Sequence, residues 1–472
     1  MKSTTSSFWS ESLQNELDKL VLCNNIMLNS PYYSDLPYDH FTKKISSFFE
    51  DIKQRSFQIS FVGTIKAGKS TLINALLGNH YATVNVTPET AVLTKFASSK
   101  DDSFHVKIKF YDSKEWNNIW QEVKSAANSP DQDVRDRIKP FLQEYSSLSA
   151  DSEKELWLNH KDLIISTKNH SELATIISKY TSSKSAAHYF VKEVYVEIKN
   201  CLLPQGIVLC DTPGLDDVLS YRSNITKQYI ASSNAIFVCV LSKFLAGEQY
   251  NIIQKVFSQI RYNPERVYII GTQTDLFNNP PQDWKYQKDE WIKYFETASG
   301  YGSKNLAAKN IIGISAGVHL FLLDNKTFAN DTDEMDDLRV YARKYNCLNR
   351  HDIEATCKSL YHATGINSLW NIIQKNLFTI YKQTLENRIS EEVYILKSEL
   401  TQCLKEVTSN YDLQLSALSL SLSDLDRTIK ELSDAIQERT QRQIQFEKDF
   451  SALENATNQA IQQVDQCFRT II

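Results

Sequence analysis

All twelve glycines of this 472-residue chain fall between Gly63 and Gly365, and both flanking arms have none. The 107 residues from Ile366 to Ile472 also lack proline, so the two strongest helix breakers are missing from the whole C-terminal arm. Apolar residues recur there in steps of three and four through Ile389, Val393, Leu396, Leu400, Cys403 and Val407. A second run passes through Leu418, Leu422, Leu425, Ile429, Leu432 and Ile436, then Phe446, Phe450, Leu453 and Val464. This is heptad spacing, which demands long helices with one buried stripe. The two registers do not join. The slip falls at Thr408-Ser409-Asn410 and predicts a turn or kink there between helices of roughly 60 and 90 Å at ~1.5 Å per residue. Arg439, Gln443 and Thr457 on the seam favour packing in a bundle over a continuous coiled coil. The N-terminal arm offers partners: a helix around Phe8 to Leu28 and, after Pro31 and Pro37, a second with Phe41, Ile45, Phe48 and Ile52 on one stripe. An elongated bundle built from residues 1–56 and 318–472 follows.

Residues 57–317 read differently, because strand and helix patterns alternate as in a doubly wound, mostly parallel α/β sheet. Strand candidates are 57–62, 91–97, 104–111, 189–198, 206–210, 234–241, 266–271 and 311–315, with an insertion of helical character at about 112–187. The first strand runs directly into Gly63-x4-Gly68-Lys69-Ser70, and LINALLG follows as a helix pattern closing on Gly78. Such a loop is built for phosphate. Gly63 and Gly68 let the backbone wrap closely, so that the amides around Lys66, Ala67, Lys69 and Thr71 and the helix N-terminus cradle the phosphates. Lys69 reaches the β and γ oxygens, and the Ser70 hydroxyl becomes a Mg²⁺ ligand.

Three further strand ends carry the rest of the chemistry. GIVLCDTPG places Asp211 where a carboxylate holds Mg²⁺ through water, and Gly214 where an amide senses the γ-phosphate. VYIIGTQTD ends in Thr272-Gln273-Thr274-Asp275, fitting the [NT][KQ]xD pattern of guanine readers. Guanine presents N1–H and its exocyclic amine as a donor pair that Asp275 accepts in bidentate fashion, whereas adenine presents an acceptor at N1. Gln273 stands where lysine is commoner, so its stem packs on the base without the charge. NIIGISAG ends in Ser315-Ala316, where a backbone amide contacts guanine O6. For switch I, NVTPETAVLT offers Thr87 and Thr90 as the threonine for Mg²⁺ and the γ-phosphate. Thr90 is preferred, since it directly precedes the apolar strand start. Together these residues specify a GTPase, GTP to GDP and phosphate, with Mg²⁺ as cofactor.

Composition narrows the remaining classes. A net charge of −5 without a Lys/Arg block argues against nucleic acid as partner and supplies no polybasic lure for anionic lipid. Eight scattered cysteines without a CxxC pair suggest neither disulfides nor a zinc site, and read as reduced thiols of a cytoplasmic protein. The N-terminus lacks an apolar signal core, and no stretch approaches the ~20 apolar residues that span a bilayer. A soluble or peripherally attached protein is expected.

AGKSTLINALLG, PETAVLT, YFVKEVYVEIKNCLLPQGIVLCDTPGLDD and HATGINSLWNII together resemble the dynamin superfamily of large GTPases, and most closely its bacterial dynamin-like members. The resemblance covers the middle domain well and the arms only by architecture. It implies dimerisation through the nucleotide face, assembly-stimulated GTP hydrolysis, and remodelling or tethering of membranes. Leu215 occupies the place after DTPG where small GTPases carry a water-orienting glutamine, so catalysis must use other groups. Lys66 stands in a loop position where many relatives have serine or asparagine. Its ammonium either replaces the monovalent cation that they recruit beside the β–γ bridging oxygen or is a solvated loop lysine. No lipid-binding domain or Pro-rich tail is recognisable, and VHLFLLDNKTF after Gly317 is the most apolar candidate for a bilayer-dipping loop, or else a buried helix start. Two readings therefore stand: a self-assembling membrane GTPase, or a GTP-dependent switch whose helical arms bind a protein partner such as a sister GTPase.

Overall fold

The computed structural model describes residues 9–29, 38–64, 66–82, 92–182, 184–215, 220–243, 245, 247–260, 263–325, 327–328, 332–418 and 422–471. These divide into two compact units, one of residues 1–10 and 50–387, the other of 11–49 and 388–472. The unit that contains the sheet thus takes in 318–387 beyond the motif-bearing stretch 57–317.

Its core is a nine-stranded sheet of β1 (Phe57–Gly63), β2 (Leu93–Ser98), β3 (Phe104–Phe110), β4 (Leu163–Thr167), β5 (Val191–Ile198), β6 (Ile207–Asp211), β7 (Ala235–Leu241), β8 (Val267–Thr272) and β9 (Ile311–Gly313). The strand order is β4-β3-β5-β2-β6-β1-β7-β8-β9. From β6 through β9 every neighbouring pair is parallel. The β2–β6, β3–β5 and β3–β4 pairs are antiparallel. The central strands are short β-branched runs with both faces covered, as a parallel sheet requires. One face packs Leu72, Ile73 and Leu76 of the phosphate-loop helix with Leu320, Ile366 and Leu369. The opposite face buries Ile252, Val256, Trp291 and Phe295 against Val62, Val238 and Ile269.

The insertion is not wholly helical. It contributes helices Ser113–Ala127, Gln132–Ser147, Ala150–Trp157 and His170–Thr181, but Leu163–Thr167 joins the sheet as its edge strand, antiparallel to β3. Five residues exposing Ile164 carry too short an alternation to stand out between helical segments. Trp116, Tyr145, Tyr189 and Phe190 form a separate aromatic core beneath these helices.

In the second unit, helix Glu11–Leu28 buries Leu13, Leu17, Leu20 and Met27, while Phe41, Ile45 and Phe48 are buried on helix Tyr38–Gln54. Ile389, Val393, Leu396, Leu400 and Cys403 are buried too, and Met27, Phe41, Ile45, Leu400 and Cys403 share one cluster. Lys44 pairs with Glu399 at 2.5 Å and Lys397 with Glu16. Chain ends therefore meet in a bundle. The expected break at Thr408-Ser409-Asn410 does not occur: helix Thr379–Leu418 runs through it, and the next helix spans Leu422–Ile471. The Thr408 hydroxyl donates to the Leu404 carbonyl at 2.8 Å, which satisfies the polar side chain inside the helix. The second seam also differs from expectation, with Ile436, Phe446, Phe450 and Leu453 all exposed.

Candidate functional site

The phosphate loop, Asp211, Thr272–Asp275 and Ser315 each lie at the carboxyl end of a parallel strand, where open α/β sheets place their ligands. β1 delivers the phosphate loop. A Cβ on Gly63 would meet the Cys239 carbonyl oxygen at 2.3 Å, so this glycine is also required by the close passage of β7. Gly68 has φ +80, a left-handed turn that starts helix Lys69–Leu77. Ala67 is buried, and its amide closes a turn to the Thr64 carbonyl at 3.2 Å. The Lys69 ammonium donates to the Gly63 and Thr64 carbonyls at 3.1 Å each, which points it into the loop. Ser70 and Thr71 follow, half-buried in the first helical turn.

At the end of β6, Asp211 is buried beside the loop and accepts the Ser70 hydroxyl on Oδ2 at 3.0 Å. Its Oδ1 is a buried acceptor without a hydrogen-bond partner among the described residues. Burial pushes its carboxyl up to about 6 against the opposing pull of Lys69 and Ser70. A carboxylate with one oxygen bonded to a serine hydroxyl and the other left over is a donor set that suits Mg²⁺ carried with a nucleotide, and Ser70 and Asp211 would hold it. The next residues are tied down: Thr212 donates to the Phe61 carbonyl and Thr226 to the Pro213 carbonyl, both at 2.8 Å. Among the described residues nothing lies within 4 Å of a Cβ built on Gly214. Leu215 is buried in the apolar cluster with Val62 and Ile236, facing away from any water-orienting role.

β8 and β9 carry the base loop. The Thr272 hydroxyl donates to the Ala67 carbonyl at 2.8 Å and lies 3.0 Å from that of Val240, locking the end of β8 to the phosphate loop. Gln273, in the left-handed region at φ 57, donates its amide to the Lys66 carbonyl at 3.2 Å. The Ser315 hydroxyl donates to Asp275 Oδ1, which holds the carboxylate in place. Ala316 begins the helix after β9. Lys66 is exposed at φ 61. Both switch I candidates, Thr87 and Thr90, lie outside the described residues.

Gly271 and Gly313, register partners on β8 and β9, form a floor under Trp284: a Cβ would approach its ring to 2.5 and 2.3 Å. Sequence reasoning missed Trp284, and also Lys344 and Tyr345, whose polar atoms reach the base loop. No local spacing marks them, since Trp284 lies in helix Pro280–Phe295 and Lys344 and Tyr345 at the end of helix Asp333–Lys344, away from the loops they reach in sequence. The apolar stretch after Gly317 is helix Ala316–Asp324, with Val318 and Leu320 buried, so it is no bilayer-dipping loop. No described helix is long and apolar enough to cross a membrane.

Comparison with known proteins agrees with this geometry. The family model described as "Dynamin family" matches residues 59–273. Dynamin-like protein 1 of Campylobacter jejuni is 28% identical over 196 residues, which cover 42% of this chain and 24% of the relative. Dynamin-like protein A of Bacillus subtilis is 24% identical over 219 residues, covering 41% of this chain and 17% of the relative. The matches thus span a quarter or less of these relatives' lengths. A solved oligomerised bacterial dynamin pair, described as providing a mechanism for long range sensing and tethering of membranes, is similar at TM-score 0.49 and 18% identity. That similarity covers 94% of this chain and 65% of the other. The phosphate loop, Asp211 and Thr272 all fall inside the stretch that the dynamin family model matches.

Proposed function

We propose that the chain binds and hydrolyses GTP with Mg²⁺, associates with a second nucleotide domain through its nucleotide face, and works peripherally on membranes. One observation carries the first part. The phosphate-binding Lys69 and Ser70, the orphaned Asp211 oxygen, and the Asp275–Ser315 base pair of loops share one sheet edge, joined by the Thr272 bond to Ala67. Asp275, held by Ser315, accepts the guanine donor pair, while Lys69 turns from the loop carbonyls to the phosphates. When bound, Mg²⁺ neutralises charge on the β- and γ-phosphates. Leu215 cannot orient water, which favours catalytic groups that a dimer organises, among them backbone around the loop and Thr90.

GTP turnover per molecule, followed against protein concentration, tests the association: a steep rise supports it and a flat line rejects it. Asp275→Asn should abolish the preference for guanine, and an unchanged preference would overturn the nucleotide assignment. Sedimentation with vesicles of neutral and anionic lipid tests membrane action; if the GTP-bound protein never pellets with either, that part fails. A second reading, a GTP-dependent switch whose arms bind a protein partner such as a sister GTPase, is favoured by the exposed Ile436, Phe446, Phe450 and Leu453.

A further inference from the structure

Helix Asp333–Lys344 and the residue that caps it, Tyr345, lie outside the family-matched stretch yet touch both base loops. The Tyr345 ring is buried in an apolar cluster with Val318, Met335, Leu338, Ala342 and Leu360. Its hydroxyl lies 3.0 Å from the Thr274 hydroxyl in a buried contact and interacts with the Ser315 hydroxyl as well. The neighbouring Lys344 donates its ammonium to the Asp275 carbonyl at 2.8 Å. Ser315 in turn donates to the Asp275 carboxylate, and the Thr274 amide donates to the Ile314 carbonyl at 3.1 Å. Tyr345 and Lys344 therefore grip the loop after β8 and the loop after β9 together. Burial pushes the phenol up to about 12, so the hydroxyl stays neutral and available as donor and acceptor.

We propose that Tyr345 and Lys344 are positioning residues for guanine selectivity, holding Thr274, Asp275 and Ser315 in the one arrangement that presents the carboxylate to the base. This rests on the GTP reading above. Packing alone does not need the hydroxyl: a phenylalanine would fill the same apolar cluster. What the hydroxyl and ammonium add is a fixed orientation of two loops that are 40 residues apart at Asp275 and Ser315. A bidentate contact is lost steeply when its acceptor swings, since the site's polar groups are then left unpaired. Lys344 also returns a positive charge to a loop in which Gln273 has replaced the commoner lysine.

The test measures dissociation constants of GDP, IDP (which lacks the exocyclic amine) and ADP on the full chain, with thermal midpoints, for the unmodified protein, Tyr345→Phe and Lys344→Met. The preference for GDP over IDP should fall about threefold or more in each variant, as expected for loss of one buried hydrogen bond. IDP, which keeps only the N1–H donor to Asp275, should lose less affinity than GDP. A merely structural role would lower the thermal midpoint and leave the GDP-to-IDP ratio alone; an unchanged ratio in both variants overturns the proposal. If Tyr345→Phe does not fold, Lys344→Met decides by the same ratio. Equal binding of GDP and ADP by the unmodified protein is a separate failure, that of the guanine reading itself.

Discussion

The side-chain amide of Gln273 donates to the backbone carbonyl of Lys66 at 3.2 Å, bridging the base loop to the phosphate loop across 207 positions of sequence. Both residues sit at positive φ, 57 and 61, so each loop turns through a backbone region that non-glycine residues seldom enter. The bridge couples the two halves of the proposed nucleotide site with a neutral donor where a lysine is commoner.

Removing that donor loosens the coupling. Gln273→Ala should weaken GDP binding by about 2- to 12-fold, the range for one hydrogen bond of ~0.5–1.5 kcal/mol. Gln273→Lys should bind GDP as well as the unmodified protein or better. Titration calorimetry on both variants checks this.

Asp211 makes the site sensitive to mild acid. Its carboxyl is raised from 3.8 to about 6 by burial, so between these values the folded protein keeps a proton that the unfolded chain releases. Stability from this group therefore falls as pH rises through that window and is level above it. Mg²⁺ needs the carboxylate, so its strengthening of GDP binding should shrink by about tenfold per pH unit below about pH 6. Binding measured from pH 5 to 7.5 should show that slope in the unmodified protein and none in Asp211→Asn.

The glycine floor under Trp284 is a packing requirement. Gly313→Ala would place a Cβ 2.3 Å from the indole and should cost about 1–3 kcal/mol, as overpacking does. Gly317→Ala, in the helix that follows, meets nothing within 4 Å and should be neutral or stabilising by up to ~1 kcal/mol. Paired denaturant titrations separate the two.

Lys66 is exposed on the phosphate loop, and we propose that its ammonium takes the place of a monovalent cation beside the β–γ bridge. Turnover should then be alike in sodium, potassium and caesium, and Lys66→Ser should become potassium-activated. Strong potassium activation of the unmodified protein would sink the idea.

Much of the candidate site was legible because the segments that form it are short and contiguous in sequence. The stretch from Gly63 to Ser70, the end of β6 at Asp211, and Thr272 to Asp275 each encode a strand end and its loop locally, and the structure brings all three to one edge. The stripe from Ile389 to Cys403 was legible for a similar reason, since a helix repeats its buried face every few residues. The edge strand Leu163–Thr167 was not, because five residues hold too few alternations to separate strand from helix. The break placed at Thr408–Asn410 failed because an exposed Thr in a long helix satisfies its hydroxyl on the preceding turn.

The sequence by itself determined the alternating α/β core and the helical arms and set the expectation of a nucleotide ligand, since these follow from residue types at fixed local spacing. Only the tertiary structure decided that Gly63 must be glycine because Cys239 passes so close, that Trp284 lies over Gly271 and Gly313, and that Tyr345 braces Thr274. Those contacts join segments far apart in the chain. Packing distance, unlike periodicity, leaves no mark in either segment alone.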